Sequence, residues 1–211
     1  MADPSYVSGP YVDAEQQRAA GLMGMYIFLG SEIMLFGGLF AAALVIRVVH
    51  PHEVVEASKS LHVWIGALNT AVLLTSSLAV AVAVHAARAA ERRLVVILLA
   101  IAAALGVAFL AIKAFEYSLE YADGVLPGFD DPGRFAGRID HLFMNLYLIA
   151  TALHALHVTV GVVLLSGVAA LAGIDRLRLP RRSIVVENAG LYWHLVDAIW
   201  VFLYPVLYLA R

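Results

Sequence analysis

The sequence contains no cysteine, which excludes disulfides and thiolate metal ligands. Charge is scarce as well. Only 14% of the 211 residues are Asp, Glu, Lys or Arg, and the formal net charge is -2. With signs nearly balanced and no basic tail, nothing favours nucleic acid as a partner. No nucleophile stands beside a base, no glycine-rich loop could cradle phosphate, and no zinc spacing occurs. Catalysis by this chain alone is therefore not expected. Internal repeats are missing too, so a single membrane domain over 1–211 is the simplest organisation.

What fills the sequence is apolar surface. Hydrophobic residues make up 62% of the chain and mean hydropathy is +0.85, a balance suited to a bilayer rather than to water. Five runs, about 21–49, 61–87, 94–119, 141–173 and 190–210, reach the roughly twenty residues that cross hydrocarbon. Lipid offers no partner to a free backbone amide, so each run is predicted helical. The expected fold is all-α, an integral membrane bundle of five transmembrane helices. Between Leu94 and Ile112 there is no polar side chain at all. The fourth run is longer than a perpendicular crossing needs, so it should tilt or project.

Residues 1–20, with Pro4, Gly9 and Pro10, read as an irregular cytoplasmic lead-in. The apolar run that follows is too long for a signal peptide and contains Glu32. The loop 121–140, rich in Gly and Pro, is expected to be the only substantial extramembrane piece. Arg18, Arg88, Arg92, Arg93, Arg176, Arg178, Arg181 and Arg182 fall on one side of the bundle. Arg47, Lys59, Arg134, Arg138 and Arg211 fall on the other. The positive-inside rule then makes the N-terminus cytoplasmic and the C-terminus periplasmic.

Ionisable groups inside a bilayer need partners or a role. Glu32 and Asp197 lie roughly 15 Å from the cytoplasmic ends of their helices and His194 roughly 10 Å, at 1.5 Å per residue. With His154 and His157 they could form one cluster. His194, Asp197, Val201, Tyr204 and Tyr208 share a helical stripe that would face the bundle. Two readings stand: polar glue between helices, or a specific lipid-headgroup or proton-related role. His154 and His157, one turn apart, also raise metal or haem ligation, but no Glu-x-x-His pattern accompanies them. Lys113 and Glu116 have the spacing of an interfacial ion pair with the lysine snorkelling outward. Trp64, Trp193 and Trp200 fit interfacial anchoring and helix packing, and Trp193 could alternatively meet a lipid headgroup.

The segment LYWHLVDAIWVFLY, Leu191 to Tyr204, resembles the Tyr-Trp-His-x-x-Asp-x-x-Trp signature of subunit III of the haem-copper oxidases, with Glu187 seven residues before His194. MYIFLGSEIMLFGGLF, Met25 to Phe40, is similar to the family segment whose buried glutamate reacts with a carbodiimide; that residue maps onto Glu32. ATALHALHVTVG, Ala150 to Gly161, resembles the paired-histidine helix. KAFEYSLEY, Lys113 to Tyr121, resembles the Glu-Tyr motif at Glu116 and Tyr117. The four motifs keep the family's order over about 190 residues.

The resemblance implies a non-catalytic subunit of a respiratory terminal oxidase in the bacterial inner membrane. Such a subunit has no cofactor of its own, and haems and copper reside in partner subunits I and II. It would support proton uptake and protect the active site during turnover. Bound phospholipid is implied, with Glu32, His154, His157, Glu187, Trp193, His194 and Asp197 as candidate contacts or proton-uptake supports. Longer members have seven helices, so a small subunit would supply the two absent here. Tyr192-Trp193, where quinol-oxidase members more often have Phe-Trp, favours cytochrome c as electron donor. The alternatives are a quinol-oxidase or nitric-oxide-reductase-associated subunit, a small transporter or proton channel, and a histidine-ligated redox protein.

Overall fold

The computed structural model describes residues 11–59, 61–123, 138–177, 179–180 and 182–209. Pro4, Gly9 and Pro10, most of the 121–140 loop, and Arg134, Arg178, Arg181 and Arg211 lie outside them. Among the described residues six helices follow in order: α1 Ala14–Val49, α2 Pro51–Lys59, α3 Val63–Arg88, α4 Arg92–Ala122, α5 Arg138–Gly173 and α6 Ser183–Tyr208. All but α2 are long and apolar enough to cross a membrane.

Several boundaries differ from expectation, the largest shifts being the starts of α1 and of α6, which begins at Ser183, seven residues before Gly190. α1 begins seven residues before Gly21, because Asp13 caps it: its carboxylate accepts from Gln16 N at 2.7 Å, and Gln16 Oε1 accepts from Val12 N at 2.8 Å. α2 is an additional extramembrane helix, which corrects the expectation that the 121–140 loop stands alone. Pro51 opens it, where a missing N–H costs nothing. Its buried Val54, Ala57 and Ser58 lie towards the bundle. Ser58 Oγ donates to Leu207 O at 3.0 Å, satisfying one carbonyl of the α6 terminus.

At the opposite end, the α3–α4 and α5–α6 corners use the same device. Ala90 and Asp175 adopt positive φ, and the next amides reach back five residues, Glu91 N to Ala86 O and Arg176 N to Leu171 O. Arg92 seals α5 by donating from Nε to Ala172 O at 2.6 Å and from Nη2 to Gly173 O.

α3, α4, α5 and α6 pack as a ring in which each touches the next, while α1 lies outside against α6 and α5. α6 is the most enclosed span, with 50% of its apolar stretch buried against 11% for α1. Outward positions such as Met34, Val163 and Phe202 present large apolar side chains, as lipid or a partner subunit requires.

Candidate functional site

Aromatic residues of α6 organise the ring in layers. Trp193 is fully buried, with Nε1 donating to Ser76 Oγ of α3 at 2.9 Å. Gly106 of α4 and Gly161 of α5 supply the flat walls its indole needs, since a Cβ at either would stand within 2.7 Å of the ring. Trp193 is thus packed against α3, α4 and α5. Two turns on, Trp200 donates to Thr70 Oγ1 at 3.0 Å and stacks on His154 at 5.1 Å, with Phe109 edge-on to both. Trp64, by contrast, is 87% exposed, as an interfacial anchor would be.

The third layer is the Lys113 cluster. The predicted pair with Glu116 is made, Nζ to Oε2 at 2.9 Å, but both residues are buried, so the lysine points inward rather than snorkelling outward. The reason is that the interior offers more than the interface does. Nζ also donates to Tyr147 OH at 2.8 Å and Tyr208 OH at 2.5 Å, and lies within 5.7 Å of four aromatic rings. Tyr147 of α5 and Tyr208 of α6 are partners that spacing within one helix could not reveal, whereas Glu120, two turns beyond Lys113 on α4, carried a spacing signal that went unread.

The polar cluster expected around Glu32 divides. Glu32 Oε2 and His157 Nε2 are 2.9 Å apart, joining α1 to α5, and both side chains are largely shielded. His157 Nδ1 lies 2.8 Å from Leu153 O, a carbonyl that only accepts, so Nδ1 carries a hydrogen. One proton then occupies the Glu32–His157 bond, on either atom, and the pair is neutral in both forms. That neutrality makes a carboxyl tolerable at this depth. His154 faces the ring interior, with both nitrogens free of hydrogen bonds. His194 bonds Ser77 Oγ through Nδ1 at 2.6 Å. Asp197 is buried one turn beyond Trp193 on α6, with Ser77, the partner of His194, as the side chain that acts on its carboxyl. No hydrogen bond links His154, His194 and Asp197 to one another or to Glu32 among the described residues. The α6 stripe is only partly inward, because Val201 is 40% exposed.

Glu187 ties three helices together at the end where α1 and α6 begin. It accepts from Arg18 Nη2 of α1 at 2.8 Å and from Arg88 Nε of α3 at 3.1 Å, with Ser183 Oγ at 3.2 Å. Beside it runs an open cleft of about 430 Å³ between α1, α3 and α6. Its walls include Leu22, Tyr26, Val84, Leu191 and His194, with Arg18 and Arg88 also lining it. Among the described residues no group of three His, Cys, Asp or Glu side chains forms a metal-binding set.

Comparison with known proteins places this geometry. The family model for cytochrome c oxidase subunit III matches residues 11–210. The chain is 31% identical to cytochrome c oxidase subunit 3 of Thermostichus vulcanus over 194 residues, covering 89% of this chain and 86% of the relative. It is 29% identical to quinol oxidase subunit 3 of Bacillus subtilis (strain 168), with the same coverage. Against cytochrome c oxidase subunit 3 of Cyprinus carpio it is 30% identical, covering 88% of this chain and 67% of that longer protein. This multi-pass membrane chain belongs to the cytochrome c oxidase subunit III family.

Proposed function

We propose that the chain is the non-catalytic third subunit of a bacterial cytochrome c oxidase. In this reading it lies against subunit I, which holds haems and copper, with subunit II and a small subunit supplying two further helices nearby. The complex reduces oxygen to water and pumps protons, while this chain stabilises subunit I and sustains proton uptake. The observation that carries the reading is how the interior histidines are used. His157 has both nitrogens in hydrogen bonds, His154 is held between Trp200 and Phe109, and His194 is bonded to Ser77. Interior polarity here braces helices rather than presenting a reaction centre.

Cytochrome c as donor is supported by Tyr192, whose hydroxyl donates to His157 O at 3.1 Å, a bond that phenylalanine cannot make. A cytoplasmic N-terminus is supported by Arg18, Arg88 and Arg92 gathering at one end of the bundle. Phospholipid fits the cleft beside α1. Leu22, Val84 and Leu191 supply apolar wall, and two guanidiniums against one Glu187 carboxylate leave a positive charge for a phosphate.

The test is oxidase stripped of this chain and then reconstituted. Stripped enzyme should keep its haem content and initial rate, lose activity during sustained turnover, and recover its lifetime when the chain is restored. Equal lifetimes with and without the chain would contradict the reading.

A further inference from the structure

The Lys113 cluster holds two carboxyl groups and one ammonium among the described residues. Lys113, Glu116 and Glu120 are the charged side chains that act on one another there, and all three are buried. Hydrogen-bond accounting treats the two acids differently. Lys113 spends its three protons on Glu116 Oε2, Tyr147 OH and Tyr208 OH. Tyr208 donates its own proton to Glu116 Oε1 at 2.8 Å. Glu116 thus receives a donor on each oxygen, one of them cationic, as an ionised carboxylate requires. Glu120 receives only the proton of Tyr147, on Oε1 at 2.7 Å. Its Oε2 is buried and has no donor at all.

A second negative charge here would be uncompensated, because the single ammonium is already balanced by Glu116 and Oε2 is buried without a hydrogen-bond partner. Burial of an unpaired carboxylate is among the least tolerated arrangements in a protein interior. A protonated carboxyl removes the charge: with its proton on Oε1 it donates to Tyr147 OH, which frees the Tyr147 proton for Tyr208, and Oε2 is left as the weaker acceptor of a neutral acid.

We propose that Glu120 is held as a neutral carboxylic acid, a buried proton-binding site joined to Glu116 through the hydroxyls of Tyr147 and Tyr208. The joining contacts are continuous: Glu120 to Tyr147 at 2.7 Å, Tyr147 to Tyr208 at 3.1 Å and Tyr208 to Glu116 at 2.8 Å. The site lies close to the C-terminal end of α4 at Ala122, on the side opposite the Arg18–Glu187–Arg88 tie. The cluster is electrically neutral, with one ammonium, one carboxylate and one acid.

The experiment compares E120Q with E116Q in the intact membrane complex that the tagged chain brings down. Glutamine imitates a protonated glutamate but not an ionised one. E120Q is expected to assemble normally with an unchanged thermal midpoint, whereas E116Q lowers the midpoint by roughly 6 °C or more. The infrared difference spectrum, parent minus E120Q, should contain the carbonyl stretch of a protonated carboxyl. Failure of E120Q to assemble, equal losses in the two variants, or a difference spectrum without that band would each overturn the assignment.

Discussion

Gly106 and Trp193 fit each other with no room for a methyl group. A Cβ on Gly106 would lie 2.7 Å from Cη2 of the indole and 2.6 Å from Cγ2 of Val162. Three helices meet at that indole, so the glycine cannot be relieved by turning one side chain aside.

Gly106→Ala should therefore destabilise the bundle by about 1–3 kcal/mol, the range of overpacked cores. Gly37→Ala is the matched control on α1, where nothing lies within 4 Å of the added atom. That change should be neutral or slightly stabilising, since alanine is the better helix former. Thermal unfolding of the two variants in detergent checks the contrast, and similar midpoints would count against the layered core.

Glu32→Ala deletes the partner of His157 and leaves Nε2 without its hydrogen bond. Haem content and initial turnover are expected to stay normal, because in the proposed reading the redox centres lie in partner subunits. Activity should then decay several-fold faster during sustained turnover. Glu32→Gln keeps a donor towards Nε2 and should decay at an intermediate rate. The measurement is oxygen consumption followed over many turnovers, and a decay matching the parent in Glu32→Ala would refute the assigned role.

Glu187→Gln releases the charges that tie Arg18 and Arg88 together. Because α1 is the least enclosed span, the first turns of α1 should exchange backbone hydrogens several-fold faster while α4 is unaffected. Both guanidiniums are at least half exposed, so overall stability should change little. Uniform exchange across both helices would show that the tie does not anchor α1.

Replacing Tyr192 by Phe removes the bond to His157 O and nothing larger. The loss should be about 1 kcal/mol or less, with assembly preserved. A collapse of the complex in this variant would show that the hydroxyl has a partner beyond the chain.

Much of the fold was readable because lipid leaves the backbone few choices, and five apolar runs of sufficient length announce themselves. Spacing along single helices also foretold the Lys113–Glu116 contact. Azimuth was harder. α4 is apolar all round from Leu94 to Ile112, so no stripe marks its inward face, and Lys113 could not be assigned to the core over the interface. Depth put Glu32, Asp197 and His157 at a comparable level, but the direction of each depends on helix rotation, and of these Glu32 and His157 meet. The α1 start was legible after all, in the Asp13 and Gln16 spacing that caps it.

The central claim is that this chain works as a brace within an oxidase. Affinity isolation of the tagged chain from membranes in a mild detergent, followed by haem spectroscopy and identification of the copurified chains, tests it most directly. The account predicts haem-bearing and copper-bearing subunits recovered in equal proportion to this chain. Recovery of the chain by itself, or with partners that carry no haem, would contradict it.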